Sequence, residues 1–101
     1  MRVAVVGAGS WGTSVAAITS TNADTTLWAR DAGVVESINQ SHRNRDYLPE
    51  IDLPPLLHAT SSIEAACDGA DIVVMAVPSH GFRAVLEAAR PVIAIDAPVI
   101  S

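Results

Sequence analysis

Short apolar runs recur along the chain, and the segments between them carry apolar residues at helical spacing. The first run contains Val3, Val5 and Val6, β-branched residues that suit a strand buried on both faces. A longer run over residues 71–77 predicts a second buried strand, which Pro78 ends. Residues 25–29 and 57–60 predict two further strands. The apolar tail over residues 92–101 predicts either a helical extension or a fifth strand.

The first two helices are predicted on either side of the second strand in the chain. Small residues over 13–19 predict the first. Asp31 is suited to cap the second, and Gly33 within it favours a short helix. The following residues 40–57 are polar and rich in proline, which predicts a long connection of the kind that is often functional.

Two more helices are predicted in the second half of the chain. Ser61 and Glu64 have the spacing of a capping box at the start of the third helix, which ends at an Asp-Gly pair. The fourth helix is expected to begin at Ser79 or His80, to carry its apolar residues on one face, and to be interrupted at Pro91.

Strands that alternate with helices predict an α/β fold with a doubly wound parallel sheet and right-handed crossovers. Ligands of such sheets bind at the carboxyl ends of the strands, near the point where the strand order reverses. Three places are therefore expected to meet: the residues after the first strand, Arg30 after the second, and Pro78 after the fourth.

The residues after the first strand form a G-x-G-x-x-G pattern, Gly7-Ala8-Gly9-Ser10-Trp11-Gly12. In a dinucleotide site Gly7 allows the tight turn, Gly9 lets the backbone approach the pyrophosphate, and Gly12 lets the helix pack close to the strand. The free N–H groups and the dipole at the helix start favour phosphates. The alternative is a purely structural glycine turn. The flanking strand and helix favour the dinucleotide site, and with it a Rossmann-like fold.

Arg30 lies where such a site discriminates between coenzymes. An acidic residue there accepts hydrogen bonds from the ribose 2′-hydroxyl of NAD, whereas an arginine accommodates the 2′-phosphate of NADP. The sequence therefore favours NADP, as NADPH. NAD stays open because the neighbouring Asp31 is able to serve the hydroxyl. A solvated surface arginine is the alternative.

Four further residues are candidates for the same site. Ser10 is able to donate to the pyrophosphate, and Trp11 is expected either in the core or beside the dinucleotide. Pro78 fixes the backbone where the nicotinamide half would lie. His80 is a candidate proton carrier, although a histidine without a carboxylate partner is more often polar surface.

Composition restricts the other functions. The 101 residues suffice for one domain, and the net charge of −5, with no basic stripe, opposes binding to nucleic acid. The single Cys67 is expected to be a small buried side chain rather than a nucleophile or metal ligand. His42 and His58 are expected at the surface. No run has the length of a signal peptide or membrane span, so a cytoplasmic protein without membrane insertion is expected.

The sequence resembles the N-terminal part of bacterial NAD(P)-dependent glycerol-3-phosphate dehydrogenase over nearly its whole length. The resemblance rests on four motifs, which are Gly7-Ala8-Gly9-Ser10-Trp11-Gly12-Thr13, Leu27-Trp28-Ala29-Arg30-Asp31, Asn44-Arg45-Asp46-Tyr47-Leu48-Pro49 with Leu53-Pro54, and Ala76-Val77-Pro78-Ser79-His80. The first and last occur in many dehydrogenases, and the third makes the combination specific.

The resemblance implies a two-domain enzyme that uses NAD(P)H to reduce dihydroxyacetone phosphate to sn-glycerol 3-phosphate, for phospholipid synthesis. It implies that Ser10, Trp11 and Arg30 contact NADPH. Residues 1–101 would form the NAD(P)-binding domain, cut near a fifth strand over residues 99–101. The family's catalytic lysine and its pocket for a small phosphorylated substrate lie in a helical C-terminal domain, and this chain has no lysine. By itself the chain is expected to bind coenzyme without catalysis, and to self-associate, as a homo-oligomer, or require its partner domain.

Other classes stay open at this point. One is the coenzyme domain of another NAD(P)-dependent dehydrogenase of the hydroxyacid type. Another is a non-catalytic nucleotide-sensing module, which the apolar tail disfavours. An S-adenosylmethionine-dependent methyltransferase is disfavoured by Arg30, because such sites usually have an acid there.

Overall fold

The computed structural model describes residues 1–94 and 96–100, with the backbone alone at Ser79 and His80. Strands and helices alternate along the chain. In chain order they are β1 (Arg2–Val6), α1 (Ser10–Ser20), β2 (Asp24–Trp28), α2 (Ala32–Ser41), β3 (His58–Thr60), α3 (Ile63–Cys67), β4 (Ile72–Met75), α4 (Ser79–Ala89), a 3-10 turn (Arg90–Val92) and β5 (Val99–Ile100). The strands form one parallel sheet in the order β3-β2-β1-β4-β5. The predicted α/β fold, a Rossmann-like doubly wound parallel sheet, is confirmed.

The central strand β1 has a core on each of its faces. Val3 and Val5 pack on the face that α1 and α2 cover, whereas Ala4 and Val6 pack on the face that α3 and α4 cover. Successive side chains of a strand point to opposite faces, so one short apolar run supplies both cores. Both faces of the sheet are therefore buried. The end of the sheet where the strands have their carboxyl ends stays open to a ligand.

One of the predicted helix starts is wrong. Helix α1 begins at Ser10, within the glycine motif, where Thr13 N donates to Gly9 O at 3.0 Å and so closes the first helical turn. Helix α3 is capped by Ser62, whose Oγ accepts from Ala65 N at 3.1 Å, and not by the predicted Ser61 with Glu64. Ser61 instead turns its carbonyl toward the Trp28 indole, which donates to it at 3.0 Å.

The structure also changes the predicted length of α2 and the predicted end of β4, and it decides between the two alternatives for the tail. Helix α2 starts at the predicted cap Asp31 but extends over ten residues, because Gly33 lies in the first turn, where the Asp31 carboxylate accepts from its N–H at 2.7 Å. Strand β4 ends at Met75, before the predicted residue 77. The tail contains a fifth strand, in which Val99 pairs with Val73.

The expected surface position of His58 is confirmed and that of His42 is wrong. His42 ends α2 with left-handed backbone (φ 55°), and its carbonyl accepts from Leu53 N at 2.7 Å. The imidazole of His42 is half-buried. Its Nδ1 is inaccessible to solvent and has no hydrogen-bond partner among the described residues. Cys67 is buried, as expected.

Two expectations lie outside the described residues: the candidate role of the His80 side chain as a proton carrier, and the part of the fifth strand at Ser101. Within the part of the chain that the structure describes, no helix has the length and apolar character needed to cross a membrane.

Candidate functional site

A cleft of about 400 Å³ opens at the carboxyl ends of β1, β2 and β4. Its walls come from the turn after β1, the end of β2, the start of α2, Tyr47 in the α2–β3 connection and the β4–α4 turn. Four of the predicted site residues line it, namely Gly7, Gly9, Arg30 and Pro78. The three strand ends expected to meet do meet at one cavity.

The turn after β1 depends on two glycines for its shape. Gly7 has a φ of 121°, and a β-carbon there would lie 2.7 Å from the carbonyl oxygen of Ala76. A β-carbon at Gly12 would collide with the carbonyl oxygen of Gly7. Only glycine allows this backbone and this approach of α1 to the strands β1 and β4.

Gly9 is different, because nothing in the protein requires a glycine there. Its φ of −71° is open to any residue, and a β-carbon built on it meets no atom within 4 Å. Gly9 lines the cleft, so this open space is available for a ligand to approach the backbone.

The backbone around Gly9 offers donors to such a ligand. Gly9 is the N-cap of α1, so the N–H groups of the first helical turn lack helical acceptors. Among the described residues, the N–H groups of residues 8–12 have no hydrogen-bond acceptor. Together with the dipole of an eleven-residue helix, they form a site that suits an anion such as a diphosphate.

Ser10 and Trp11 lie on the first turn of α1, outside the residues that line the cleft. The Ser10 hydroxyl donates to the carbonyl of Tyr47 at 3.3 Å. Trp11 is 56% exposed, which rules out the core as its position. Both are therefore on the surface, directly after the cleft-lining Gly9 in the chain.

The end of β2 carries one arginine and one acid. Arg30 is exposed and lines the cleft, and its side chain has no ion pair among the described residues. Asp31 lines the cleft as well, but its Oδ1 is engaged by the N–H of Gly33 at 2.7 Å. The cation is therefore available to a ligand, whereas one of the two carboxylate oxygens is already used to cap α2.

Asn44 is a residue of this region for which sequence reasoning gave no role. Its side chain is fully buried, and Nδ2 donates to Ala8 O and to Thr13 Oγ1, each at 2.8 Å. Its Oδ1 accepts from Tyr47 N at 3.2 Å. Ala8 and Thr13 lie 36 and 31 residues away in the chain, so no local pattern could indicate these two bonds.

Pro78 lies directly before α4, with φ −54° and ψ 149°, and lines the cleft, as Arg30 does. Within residues 1–94 and 96–100, no three His, Cys, Asp or Glu side chains are grouped so that they could hold a metal ion. The cleft therefore offers backbone amides, a cation and apolar walls, the combination that suits a phosphate-bearing organic ligand.

Comparisons with known proteins agree with this description. Residues 2–101 match the family model described as NAD-dependent glycerol-3-phosphate dehydrogenase N-terminus. A glycerol-3-phosphate dehydrogenase [NAD(P)+] 2 of Sphingopyxis alaskensis is 58% identical over 101 residues, which is 100% of this chain and 30% of that protein. The chain thus spans about 30% of the length of the curated relatives it matches.

Solved structures share the fold over nearly the whole chain. The glycerol-3-phosphate dehydrogenase from Coxiella burnetii superposes with a TM-score of 0.88 at 28% identity, over 97% of this chain and 30% of that one. The one from Plasmodium falciparum gives a TM-score of 0.90 at 24% identity, over 98% of this chain and 31% of that one. The second likeness concerns the fold alone.

Proposed function

This chain belongs to the family of NAD-dependent glycerol-3-phosphate dehydrogenases, whose N-terminal part it matches, and from that premise we propose that it forms their NAD(P)H-binding domain. The proposed domain comprises residues 1–101. The observation that carries the proposal is the open space at Gly9, in front of the N–H groups that begin α1.

The two flanking glycines of the motif support this assignment by contrast. Gly7 and Gly12 are explained by contacts inside the protein, since a β-carbon on either would meet backbone. Gly9 has no such explanation, and a ligand that lies directly on the backbone supplies one. We propose that the coenzyme diphosphate lies against Gly9, in the turn that Gly7 and Gly12 shape, with Ser10 and Trp11 in contact with the coenzyme and Pro78 beside the nicotinamide half.

The preference for NADPH over NADH is a finer part of the proposal. It rests on Arg30, an exposed cation at the end of β2 that has no ion pair among the described residues. A 2′-phosphate there would gain a charge-assisted hydrogen bond. Asp31, the acid that would serve a 2′-hydroxyl, already holds the N–H of Gly33, which makes it a weaker partner for NADH.

For the reaction, we propose the reduction of dihydroxyacetone phosphate to sn-glycerol 3-phosphate. A bound nicotinamide coenzyme supplies the hydride, and the residues of this chain bind and orient it. The relatives are about three times as long, and we assign the binding of the phosphorylated substrate to the part of such proteins that this chain does not contain. For this chain by itself we propose self-association, as a homo-oligomer, or dependence on that further domain. The cytoplasm, where these coenzymes and substrates occur, is the proposed location.

Separate titrations with NADPH and NADH test the coenzyme assignment. Trp28 lines the cleft, so energy transfer from tryptophan to the reduced nicotinamide reports binding directly. Arg30→Ala is expected to lower the affinity for NADPH about tenfold, which corresponds to the loss of one exposed charge-assisted hydrogen bond. The affinity for NADH is expected to change less than twofold. Arg83→Ala, which removes an exposed arginine outside the cleft, is the matched control.

Each outcome has a distinct meaning. Equal affinity for the two coenzymes, unchanged by Arg30→Ala, would remove the role of Arg30 in reading the phosphate. Absence of binding by either coenzyme would contradict the domain assignment itself. Turnover of dihydroxyacetone phosphate by the 101-residue chain alone would show that the substrate does not need further protein.

A further inference from the structure

Asn44 connects the glycine turn to a segment that is distant in the chain. Its amide group is fully buried and has three hydrogen bonds, to Ala8 O, Thr13 Oγ1 and Tyr47 N. We infer that Asn44 is a positioning residue for the coenzyme diphosphate, acting through the Ala8–Gly9 peptide; this inference rests on the proposed function.

The geometry of the peptide unit carries the inference. The carbonyl of Ala8 and the N–H of Gly9 belong to one planar trans unit, in which they point in opposite directions. Asn44 Nδ2 holds that carbonyl at 2.8 Å from one side, so the N–H of Gly9 must point away from Asn44. Gly9 lines the cleft and Asn44 does not, which directs this N–H toward the ligand space.

The other two bonds make the orientation rigid. Thr13 Oγ1 ties the same amide nitrogen to α1, and Thr13 is fully buried as well. Asn44 Oδ1 holds the N–H of Tyr47, whose carbonyl accepts from the Ser10 hydroxyl and whose side chain lines the cleft. The peptide plane at Gly9 is therefore fixed before a ligand arrives, which lowers the cost of ordering it on binding.

No other common side chain of this size meets the three demands. The site needs two N–H donors and one acceptor at buried positions, and a carboxamide supplies them. In Asn44→Asp the acceptor for Tyr47 N remains, but a carboxylate oxygen replaces the donor that faces the Ala8 carbonyl. The Ala8–Gly9 peptide then loses the group that fixes its direction, while the side-chain volume is kept.

Two probes separate a role at the diphosphate from a general loss of structure. ADP contains the diphosphate, and adenosine 2′-monophosphate contains adenosine and a phosphate without it. In the 101-residue chain, Asn44→Ala and Asn44→Asp are expected to weaken ADP and NADPH at least tenfold, because one amide-to-phosphate bond is misdirected. Binding of adenosine 2′-monophosphate is expected to change less than twofold.

Asn39→Ala is the matched control. Asn39 also bonds the backbone through both atoms of its amide group: Nδ2 donates to Ala59 O at 2.9 Å and Oδ1 accepts from Ala59 N at 2.8 Å, outside the cleft. Its loss is expected to lower the unfolding midpoint without changing the affinity for ADP. In the unsubstituted chain, the Gly9 amide proton is expected to shift downfield on addition of ADP, a measurement that does not depend on any variant folding.

Each result either supports or overturns the role of Asn44. A loss selective for ADP and NADPH together with the Gly9 shift supports the inference. Unchanged ADP affinity in the Asn44 variants, an equal loss for both probes, or an unmoved Gly9 amide overturns it while leaving the coenzyme site in place. Failure of the unsubstituted chain to bind NADPH overturns the proposed function and the inference with it.

Discussion

Replacement of Gly9 by alanine separates binding from stability more sharply than any other change in the glycine motif. The backbone there already has a φ of −71°, and the new methyl group would meet no atom within 4 Å. A compatible Gly→Ala change stabilises by about 0.4–1 kcal/mol through the unfolded state. Alanine is a poorer N-cap than glycine by about 0.5–1 kcal/mol. The two effects oppose each other, so the free energy of unfolding is expected to change by less than about 1 kcal/mol.

Coenzyme binding by Gly9→Ala is expected to fall far more. The methyl group takes the space through which the diphosphate would approach the N–H groups at the start of α1. Hydrogen bonds to a charged partner contribute about 1.5–3 kcal/mol each, so loss of one predicts a Kd for NADPH that is about 10- to 100-fold higher. Urea denaturation followed by circular dichroism measures the stability, and tryptophan-to-coenzyme energy transfer measures the Kd.

Gly12→Ala is the control within the same motif. Its β-carbon would collide with the Gly7 carbonyl and lie 3.0 Å from the β-carbon of Ala76, and neither neighbour has room to move. Overpacking of this kind costs about 1–3 kcal/mol or more, so the free energy of unfolding is expected to fall. An unchanged NADPH affinity in Gly9→Ala would refute the reasoning, because the empty space would then have no ligand to explain it.

Two further predictions concern positions away from the cleft. His42→Gly is expected to raise the free energy of unfolding by about 1 kcal/mol in urea denaturation. Glycine adopts the left-handed backbone without penalty, and the change removes an Nδ1 that is inaccessible to solvent and has no hydrogen-bond partner among the described residues. Ser41→Gly, one residue earlier in α2, should instead destabilise by about 0.5 kcal/mol, the difference in helix propensity between serine and glycine, and a loss in both variants would contradict the account. Burial raises the pKa of the Cys67 thiol, so the unfolded chain ionises first as the pH rises. The stability that Cys67 contributes should be complete below the ordinary pKa of the thiol and should decline as the pH rises toward the folded-state pKa. Cys67→Ala is the control, and urea denaturation of this variant should no longer show that pH dependence. A decline of equal size in the variant would assign the pH dependence to other groups.

The parts of the fold that the sequence predicted are those encoded by local pattern. The run at Val3, Val5 and Val6 leads directly into the glycine motif, so both the central strand and the turn after it follow from adjacent residues. Asp31 was recognised as a cap for the same reason, since its acceptor role involves a residue two positions away. Local chemistry of this kind does not depend on the rest of the fold.

The parts that it did not predict depend on distant partners. Ser61 and Ser62 are equally suited to cap a helix by residue type. The choice between them follows from the Trp28 indole, 33 residues away, which donates a hydrogen bond to the Ser61 carbonyl. Asn44 is one polar residue in a polar connection until the fold brings Ala8 and Thr13 to it.

The order of strands in the sheet has a consequence for how the chain is made. Val3 in β1 pairs with Ile72 in β4, and Gly7 packs against the Ala76 carbonyl. A ribosome adds about 5–20 residues each second, so roughly 3–14 s separate the synthesis of these partners. During that interval β1 has β2 as its only available neighbour in the sheet, and the glycine turn lacks the residues after β4 that pack against it. The segment translated first is thus completed only when the fourth strand has emerged.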